Sequence, residues 1–217
     1  MARPAGDAGV RERLSAARLY VVTGARQDRG DLAPFLEAIL SAGTDVVQLR
    51  EKDAEAGDLL RWAAEFRRAA DRHGALFVVN DRPDVALAAG ADGVHVGQND
   101  LPVAFVRELV GPRMLIGLST HDRRQLHGAD PAADYVCVGP VHATPTKPGR
   151  PATGLHLIRD AASVEGRPWF AIGGIDRGTL PAVMGAGAVR IVVVRAVTEA
   201  ADPGGAVRAL RRMLGGS

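Results

Sequence analysis

Short apolar runs rich in valine and isoleucine recur along nearly the whole chain, and stretches rich in alanine and leucine separate them. Most of these runs are continuously apolar rather than alternating, which is typical of parallel strands covered on both faces. They predict eight strands, which lie within the segments 18–24, 45–51, 76–81, 93–97, 114–120, 134–141, 169–175 and 189–195.

The stretches between these runs have the periodicity of helices. In the clearest of them, 58–73, apolar side chains recur at intervals of three and four residues, and Gly74 supplies a stop signal. Eight β–α units followed by a last helix near 206–214 predict a single-domain (β/α)8 TIM barrel, an α/β fold, over 14–217. Residues 1–13 are expected to form a loose tail or a short leading helix.

An open doubly wound sheet is the alternative architecture for the same alternation of strands and helices. It fits less well, because no glycine-rich dinucleotide-binding loop follows the first predicted strand.

Composition places the chain among ordinary globular proteins. Of its 217 residues, 47% are hydrophobic and 24% are charged, which excludes the collagen-like, disordered and disulfide-rich classes. A lone cysteine, Cys137, cannot form an internal disulfide. Since the sequence shows neither a membrane-spanning apolar run nor a secretory leader, we expect a cytoplasmic protein with no membrane partner.

The charges of the chain do not indicate a nucleic-acid partner. The 27 basic and 25 acidic residues are interspersed along the sequence, and aromatic residues, which would stack on bases, make up 4% of it. The partners that we expect are therefore small molecules.

Polar side chains gather where the predicted strands end, which is the end of a (β/α)8 barrel that carries the active site. Asp81 ends the third predicted strand segment, and Asp100 lies in the turn after the fourth. Two carboxylates from neighbouring units suit one Mg²⁺ that keeps several waters and binds a substrate phosphate. The simpler alternative is that Asp81 caps the helix that follows it.

Positive charge is predicted at the same end of the barrel. Lys52 and Lys147 are the two lysines of the sequence, and both follow strands at this end, as Arg50 does. One metal ion and three cations match a diphosphate better than a single phosphate or a neutral sugar. For Arg50 the alternative is an ordinary ion pair with Glu51.

A second anion site is predicted after the seventh strand. Gly173 and Gly174 allow backbone N–H groups to approach a ligand closely, and loops at this place in barrels commonly bind a phosphate. The segment 141–154, rich in proline and glycine, is interpreted as a mobile lid over the mouth. The alternative is a solvent loop without a function.

Six motifs carry a resemblance to a known family. In order along the chain they are QLREK at 48–52, VND at 79–81, ADGVHVGQND at 91–100, GLST at 117–120, GPVHATPTK at 139–147 and AIGGI at 171–175. Together they resemble the thiamine-phosphate synthase family, and the match runs from about Arg18 to Arg195.

The resemblance implies a TIM-barrel transferase that joins hydroxymethylpyrimidine diphosphate to thiazole phosphate, or to its carboxylate, and releases diphosphate with Mg²⁺ as the cofactor. Asp81 and Asp100 match the metal ligands of the family. The positions that match the pyrimidine diphosphate site are Gln48, Leu49, Arg50, Glu51, Lys52, Asn80, Ser119 and Lys147, and four of them, Arg50, Lys52, Ser119 and Lys147, are expected to act in catalysis. The positions that match the thiazole phosphate site are Thr144, Pro145, Thr146, Gly174, Val194 and Arg195.

The chain departs from the family pattern at two places on the thiazole side. His142-Ala143 stands where an aromatic residue and a proline are usual, and Arg195 stands where serine is usual. We expect the Arg195 side chain to contact the thiazole phosphate, the alternative being an ion pair with Glu199.

Other functions and assemblies remain open at this point. A related thiazole tautomerase and a non-catalytic barrel that binds a phosphate ligand are the alternative functions. A homo-oligomer is among the alternatives for the assembly of the protein.

Overall fold

The structure, a computed structural model, describes residues 7–143, 152–163 and 166–215. Its strands are β1 (Leu19–Thr23), β2 (Val46–Leu49), β3 (Leu76–Asn80), β4 (Gly93–Val96), β5 (Leu115–Thr120), β6 (Tyr135–Val138), β7 (Trp169–Ile172) and β8 (Ile191–Val193). Its helices are α1 (Asp7–Ala16), α2 (Leu32–Ser41), α3 (Ala56–His73), α4 (Pro83–Ala88), α5 (Val103–Val110), α6 (Arg123–His127), α7 (Gly154–Ala162), α8 (Leu180–Gly185), α9 (Arg195–Thr198) and α10 (Pro203–Met213).

The strands form one closed parallel barrel. They pair in the order of the sequence, and β8 closes the sheet by pairing with β1. Tyr20 on β1 lies level with Val46 on β2 and with Val192 on β8. The predicted (β/α)8 architecture is therefore confirmed, and each predicted strand segment contains one of the observed strands.

Two apolar cores explain why the strand sequences are apolar at almost every position. Side chains on one face of each strand pack under the helices, as Phe77 does against Phe66 of α3. Side chains on the other face fill the barrel interior around Tyr20 and Tyr135. Leu14, near the end of α1, packs against this inner core from below. Because both faces of each strand are covered, a strand with alternating apolar and polar residues would bury polar side chains here.

Helix ends follow the signals in the sequence. α3 ends at Gly74, which adopts a left-handed conformation with φ +69° that other residues rarely adopt. After β8 a short helix, α9, precedes the last helix, α10, and places Arg195 at the carboxyl end of the barrel. Among the described residues, none of the helices has both the length and the apolar character that crossing a membrane demands.

Gly117 on β5 is where the inner core is most tightly filled. A β-carbon at this residue would overlap the ring and hydroxyl of Tyr135 and would lie 2.5 Å from Nδ1 of His95. We expect Gly117→Ala to lower the free energy of unfolding by about 1–3 kcal/mol, because overpacking forces neighbouring side chains out of their preferred rotamers. Urea unfolding followed by circular dichroism measures this.

A matched control for that variant is Gly57→Ala in α3. Nothing lies within 4 Å of a β-carbon added at Gly57. This variant should be at least as stable as the parent, because alanine restricts the unfolded chain more than glycine does. If the two variants were equally stable, the expectation that a β-carbon at Gly117 overpacks the inner core would be wrong.

Candidate active site

Two neighbouring cavities open at the carboxyl end of the barrel. The larger has a volume of about 460 Å³ and lies toward β6–β8. The smaller has a volume of about 90 Å³ and lies toward β1–β4. Both are lined by Ser119, Ile172, Val192 and Val194, so the cavities share a wall.

The smaller cavity brings together four residues that the sequence placed in the pyrimidine diphosphate site, namely Gln48, Arg50, Asn80 and Ser119. Gln48, Asn80 and Ser119 lie on β2, β3 and β5, and Arg50 directly follows β2. The closure of the barrel therefore brings together residues that are far apart in the sequence. Arg50 is half-buried, and among the described residues its guanidinium has no hydrogen-bond or ion-pair partner. The group is therefore free to bind an anion at the mouth.

Gln48 and Ser119 are held from inside the barrel. Both side chains are buried. Nε2 of Gln48 donates a hydrogen bond to the Tyr20 hydroxyl at 2.5 Å. Oγ of Ser119 lies 2.9 Å from Nε2 of His95. These contacts fix the orientation of two polar groups at the floor of the smaller cavity.

Two members of the QLREK motif have side chains that turn away from this cavity. Leu49 is buried in the core between strands and helices, because side chains alternate between the two faces of a strand. Oε1 of Glu51 accepts a hydrogen bond from the backbone N–H of Ala25 at 2.7 Å, which anchors the loop after β1. Any contact of Leu49 with a substrate would come from its backbone, and the alternative of an Arg50–Glu51 ion pair is not what the structure shows.

Asp81 and Asp100 meet just outside the smaller cavity. Burial first, and then the hydrogen bond and the charge of the neighbouring Asp100 carboxylate, raise the pKa of Asp81 above its ordinary value. Nζ of Lys52 lies 3.5 Å from Oδ2 of Asp81 and partly offsets this effect. Asp100 is oriented by the N–H of Gly97, which donates to its Oδ2 at 2.7 Å.

The backbone at Asp81 is strained. Its φ of +61° lies in the left-handed region, which a non-glycine residue rarely adopts. The N–H of Arg82 donates to the carbonyl of Asn80 at 2.8 Å, so the three residues form a γ-turn. The N-cap of α4 is Arg82, and no side chain caps this helix. The alternative role of Asp81 as a helix cap is therefore not observed, and its carboxylate contacts Asp100 instead.

The carboxylate pair fits a divalent cation. Two adjacent carboxylates repel each other when both are ionised, so each disfavours the charged form of the other. A bound cation would relieve this repulsion. Within the described ranges no group of three or more His, Cys, Asp or Glu residues could hold a metal ion. Mg²⁺ does not need one, since it is usually bound through one or two carboxylates, waters and substrate phosphates.

The larger cavity has the features of an anion site on its β7–β8 side. Gly173 and Gly174 have φ values of +106° and +63°. A β-carbon on Gly174 would lie 2.7 Å from Cβ of His142. Glycine is therefore needed at Gly174 for the backbone to pass this close, and a glycine turn of this kind suits the binding of an anion by backbone N–H groups.

Arg195 lines the same cavity and is exposed. In the part of the chain that the structure describes, its guanidinium forms no ion pair, with Glu199 or with another residue. The backbone carbonyl of Arg195 accepts from the N–H of Glu199 at 3.1 Å, so the two residues are joined through the main chain alone. The alternative of an ion pair with Glu199 is thus absent from the described contacts, and the side chain is available to a ligand.

Two residues that line the larger cavity, His121 and Asp176, were not expected from the sequence. His142, which the sequence placed on the thiazole side, and Glu199 also lie in its wall. Hydrogen bonds from the N–H of Thr179, opposed by burial and reinforced by the N–H of Gly178, hold the pKa of Asp176 below its ordinary value. His121 directly follows β5 and could have been found by its position at a strand end.

Four predicted site residues, Thr144, Pro145, Thr146 and Lys147, lie outside the described residues. Most of the segment 141–154, which we interpret as a lid, lies outside them as well. Their assignments remain predictions from the sequence.

Comparison with known proteins decides the family. The family model described as thiamine monophosphate synthase matches residues 19–197, which span every strand of the barrel. The chain belongs to this family. The thiamine-phosphate synthase of Thermobifida fusca is 54% identical over 211 residues, which cover 96% of this chain and 97% of that protein. The thiamine-phosphate synthase of Acidothermus cellulolyticus is 56% identical over 193 residues, which cover 88% and 91%.

A solved structure of similar fold supports the same placement. The thiamine phosphate pyrophosphorylase of Pyrococcus furiosus superposes with a TM-score of 0.84 at 30% identity, covering 95% of this chain and 98% of that one. A 3-hexulose-6-phosphate synthase, at 20% identity and a TM-score of 0.63, shares the fold alone. The expectation that this thiamine monophosphate synthase family member is an enzyme, a transferase of thiamine biosynthesis, is therefore confirmed.

Proposed function

We propose that the chain joins hydroxymethylpyrimidine diphosphate to thiazole phosphate, giving thiamine phosphate and diphosphate. The observation that carries the proposal is the pair of cavities that share a wall at Ser119, Ile172, Val192 and Val194. A reaction that joins two substrates needs two adjoining sites, because the reacting atoms must meet within about 3–3.5 Å. The names of the relatives agree with this reaction.

The pyrimidine diphosphate is assigned to the smaller cavity and the rim outside it. Gln48 and Ser119 offer fixed polar groups at the cavity floor, and Asn80 also lines this cavity. At the rim, the guanidinium of Arg50, which has no partner among the described residues, suits diphosphate oxygens in a bidentate geometry. Lys52, already beside Asp81, adds a second positive charge.

Asp81 and Asp100 are the residues that would hold Mg²⁺. When bound there, the ion would supply positive charge to the diphosphate oxygens as the leaving group departs. The two carboxylates would orient that charge, and Lys52 would be released from Asp81 to contact the diphosphate.

The reaction that we infer needs no nucleophile from the protein. The bond between the pyrimidine methylene carbon and the diphosphate oxygen breaks, and both electrons leave with the diphosphate. The aminopyrimidine stabilises the resulting carbocation by resonance, and the lone pair of the thiazole nitrogen then forms the new carbon–nitrogen bond. The chain contributes leaving-group stabilisation by Arg50 and Lys52, with Lys147 added by the family resemblance, and positioning by Ser119.

The thiazole phosphate is assigned to the larger cavity. The backbone at Gly173 and Gly174 and the side chain of Arg195 offer donors to a phosphate in this cavity. A ligand anchored there would present its thiazole ring to the shared wall near Ser119.

The proposal is tested by supplying the purified protein with both substrates and Mg²⁺. Diphosphate and thiamine phosphate should form in equal amounts, and neither should form when either substrate is left out. A protein that binds thiamine phosphate but releases no diphosphate would contradict the proposal.

Arg195→Ser tests the anion site of the larger cavity. A charge-assisted hydrogen bond contributes about 1.5–3 kcal/mol, so its loss should lower kcat/KM for thiazole phosphate by about 10- to 150-fold. The measurement varies thiazole phosphate while the pyrimidine diphosphate is saturating. A change below about twofold would show that the side chain does not bind the phosphate, and an equal loss for the pyrimidine substrate would place it elsewhere.

A further inference from the structure

A continuous chain of hydrogen bonds crosses the barrel interior and joins the two polar groups on the floor of the smaller cavity. Gln48 Nε2 contacts the Tyr20 hydroxyl at 2.5 Å, and that hydroxyl lies 3.1 Å from the hydroxyl of Tyr135. The Tyr135 hydroxyl lies 3.3 Å from Nδ1 of His95, whose Nε2 lies 2.9 Å from Oγ of Ser119. We call these five residues the interior chain.

The barrel is built around the interior chain. Gly117 leaves the space in which the Tyr135 hydroxyl meets the His95 ring, because any β-carbon there would overlap the Tyr135 ring. Phe170 packs edge-on against both tyrosines, with ring centroids 5.6 Å from Tyr20 and 5.7 Å from Tyr135. Both tyrosine hydroxyls are therefore held in place by packing as well as by hydrogen bonds.

The direction of the hydrogen bonds follows from the first donor. Since the amide N–H of Gln48 donates to the Tyr20 oxygen, the buried Tyr20 proton is directed to the Tyr135 oxygen. The Tyr135 proton is then directed to Nδ1 of His95, which leaves the histidine proton on Nε2. The Nε2–H group donates to Oγ of Ser119, so the Ser119 proton has to point away from His95.

The protonation state of the tyrosines agrees with this order. Burial, more than any neighbouring charge, raises the pKa of Tyr20 and of Tyr135 well above the ordinary value. Both hydroxyls therefore keep their protons at neutral pH, so each hydrogen bond of the interior chain has one proton.

We propose that Tyr20, Tyr135 and His95 are positioning residues that direct the Ser119 hydroxyl proton into the smaller cavity, where it donates to an acceptor atom of the pyrimidine ring. This inference rests on the proposed function, because it takes the pyrimidine diphosphate as the occupant of that cavity. A serine hydroxyl rotates freely on its own, and a donor fixed on its oxygen leaves its proton aimed at the ligand before the ligand binds.

Tyr135→Phe removes the central link and keeps the ring. We expect kcat to fall by at least about tenfold, while KM for thiazole phosphate stays within about twofold, since the lost donor faces the other substrate. In the Ser119→Ala background the same Tyr135→Phe change should have less than about a twofold effect, because the group through which it acts is gone. Additive losses in the double variant would overturn the proposal.

The matched control is Phe170→Leu, which loosens the packing of the same interior layer and leaves every member of the interior chain intact. Its melting temperature should fall at least as far as that of Tyr135→Phe, and its kcat should stay within about threefold of the parent value. An equal loss of kcat in both variants would show that packing, not hydrogen bonding, carries the effect.

A second readout does not depend on activity. In protein labelled with ¹⁵N at histidine, the His95 signals should show the proton on Nε2, and Tyr135→Phe should shift them. A proton on Nδ1 in the parent protein would reverse the direction of the hydrogen bonds between Tyr135, His95 and Ser119 and would overturn the proposal. If the parent made no thiamine phosphate, the proposed function would fail, while the tautomer of His95 would still be measured.

Discussion

Asp81→Asn is expected to lower kcat/KM by about 100-fold or more at low Mg²⁺, because a bound cation supplies several kcal/mol of leaving-group stabilisation and this change removes one of its two carboxylates. The substitution keeps the size of the side chain and the hydrogen bond from the Asp81 backbone N–H to the carbonyl of His95. Raising the Mg²⁺ concentration should restore part of the activity if affinity is what is lost. Titration with Mn²⁺, followed by electron paramagnetic resonance, measures the metal affinity directly.

The matched control for that change is Asp84→Asn, three residues further along the same segment. Asp84 is exposed and pairs with Arg82 at 2.6 Å, outside the cavities that open at the barrel mouth. Its activity should stay within about twofold of the parent. The metal assignment would be wrong if EDTA left the parent rate unchanged, or if both asparagine variants bound Mn²⁺ equally well.

The thermal stability of Asp81→Asn shows whether a loss of activity comes from the site itself or from unfolding of the protein. Because burial and Asp100 raise the pKa of Asp81 in the folded protein, its ionised form is less favourable folded than unfolded. The cost is present at neutral pH and disappears as the pH falls below the ordinary range for this group. In EDTA at neutral pH, the neutral asparagine should therefore unfold at a temperature no lower than the parent does.

The barrel could be predicted because each strand has a recognisable pattern in its local sequence. Runs such as the one at Leu76–Asn80 are short and apolar at nearly every position, which is typical of strands covered on both faces. The positions of Asp81 and Asp100 at one end followed from the parallel order of the strands, and the structure brings their carboxylates together. Position along a strand therefore predicted which residues share the mouth.

What the sequence could not give is the direction of each side chain around that mouth. Leu49 and Glu51 belong to the same motif as Arg50, but their side chains point elsewhere. Leu49 packs in the core between the strands and the helices, and Glu51 accepts a hydrogen bond from the loop after β1. The contact of Glu51 with Ala25 joins the segments that follow β1 and β2, so no local sequence pattern contains it. The hydrogen-bond partners of Tyr20 and His95 could not be predicted for a related reason. A polar residue within an apolar strand indicates that its polar group is buried, but it does not indicate which residue forms a hydrogen bond with it.

The second large effect is expected at Arg50, where Arg50→Ala should lower kcat by about 10²-fold. Removing one preorganised donor that meets developing charge costs about this much in other enzymes. Arg50 is half-buried beside Gln48 and Asn80, with no described partner that would compete with a diphosphate. Because the charge on the leaving group grows as the bond breaks, the loss should fall on kcat more than on KM for the pyrimidine diphosphate.

Arg50→Lys and Arg61→Ala complete the test. Lysine keeps the charge but not the planar pair of donors, so Arg50→Lys should recover only part of the lost kcat. Arg61 on α3 is exposed and pairs with Asp58 of the same helix, so Arg61→Ala should leave kcat within about twofold of the parent. Full activity in Arg50→Lys would mean that charge alone suffices at this position. A rise in KM with kcat unchanged in Arg50→Ala would mean that the guanidinium binds the substrate and its transition state equally, and would remove Arg50 from the catalytic residues.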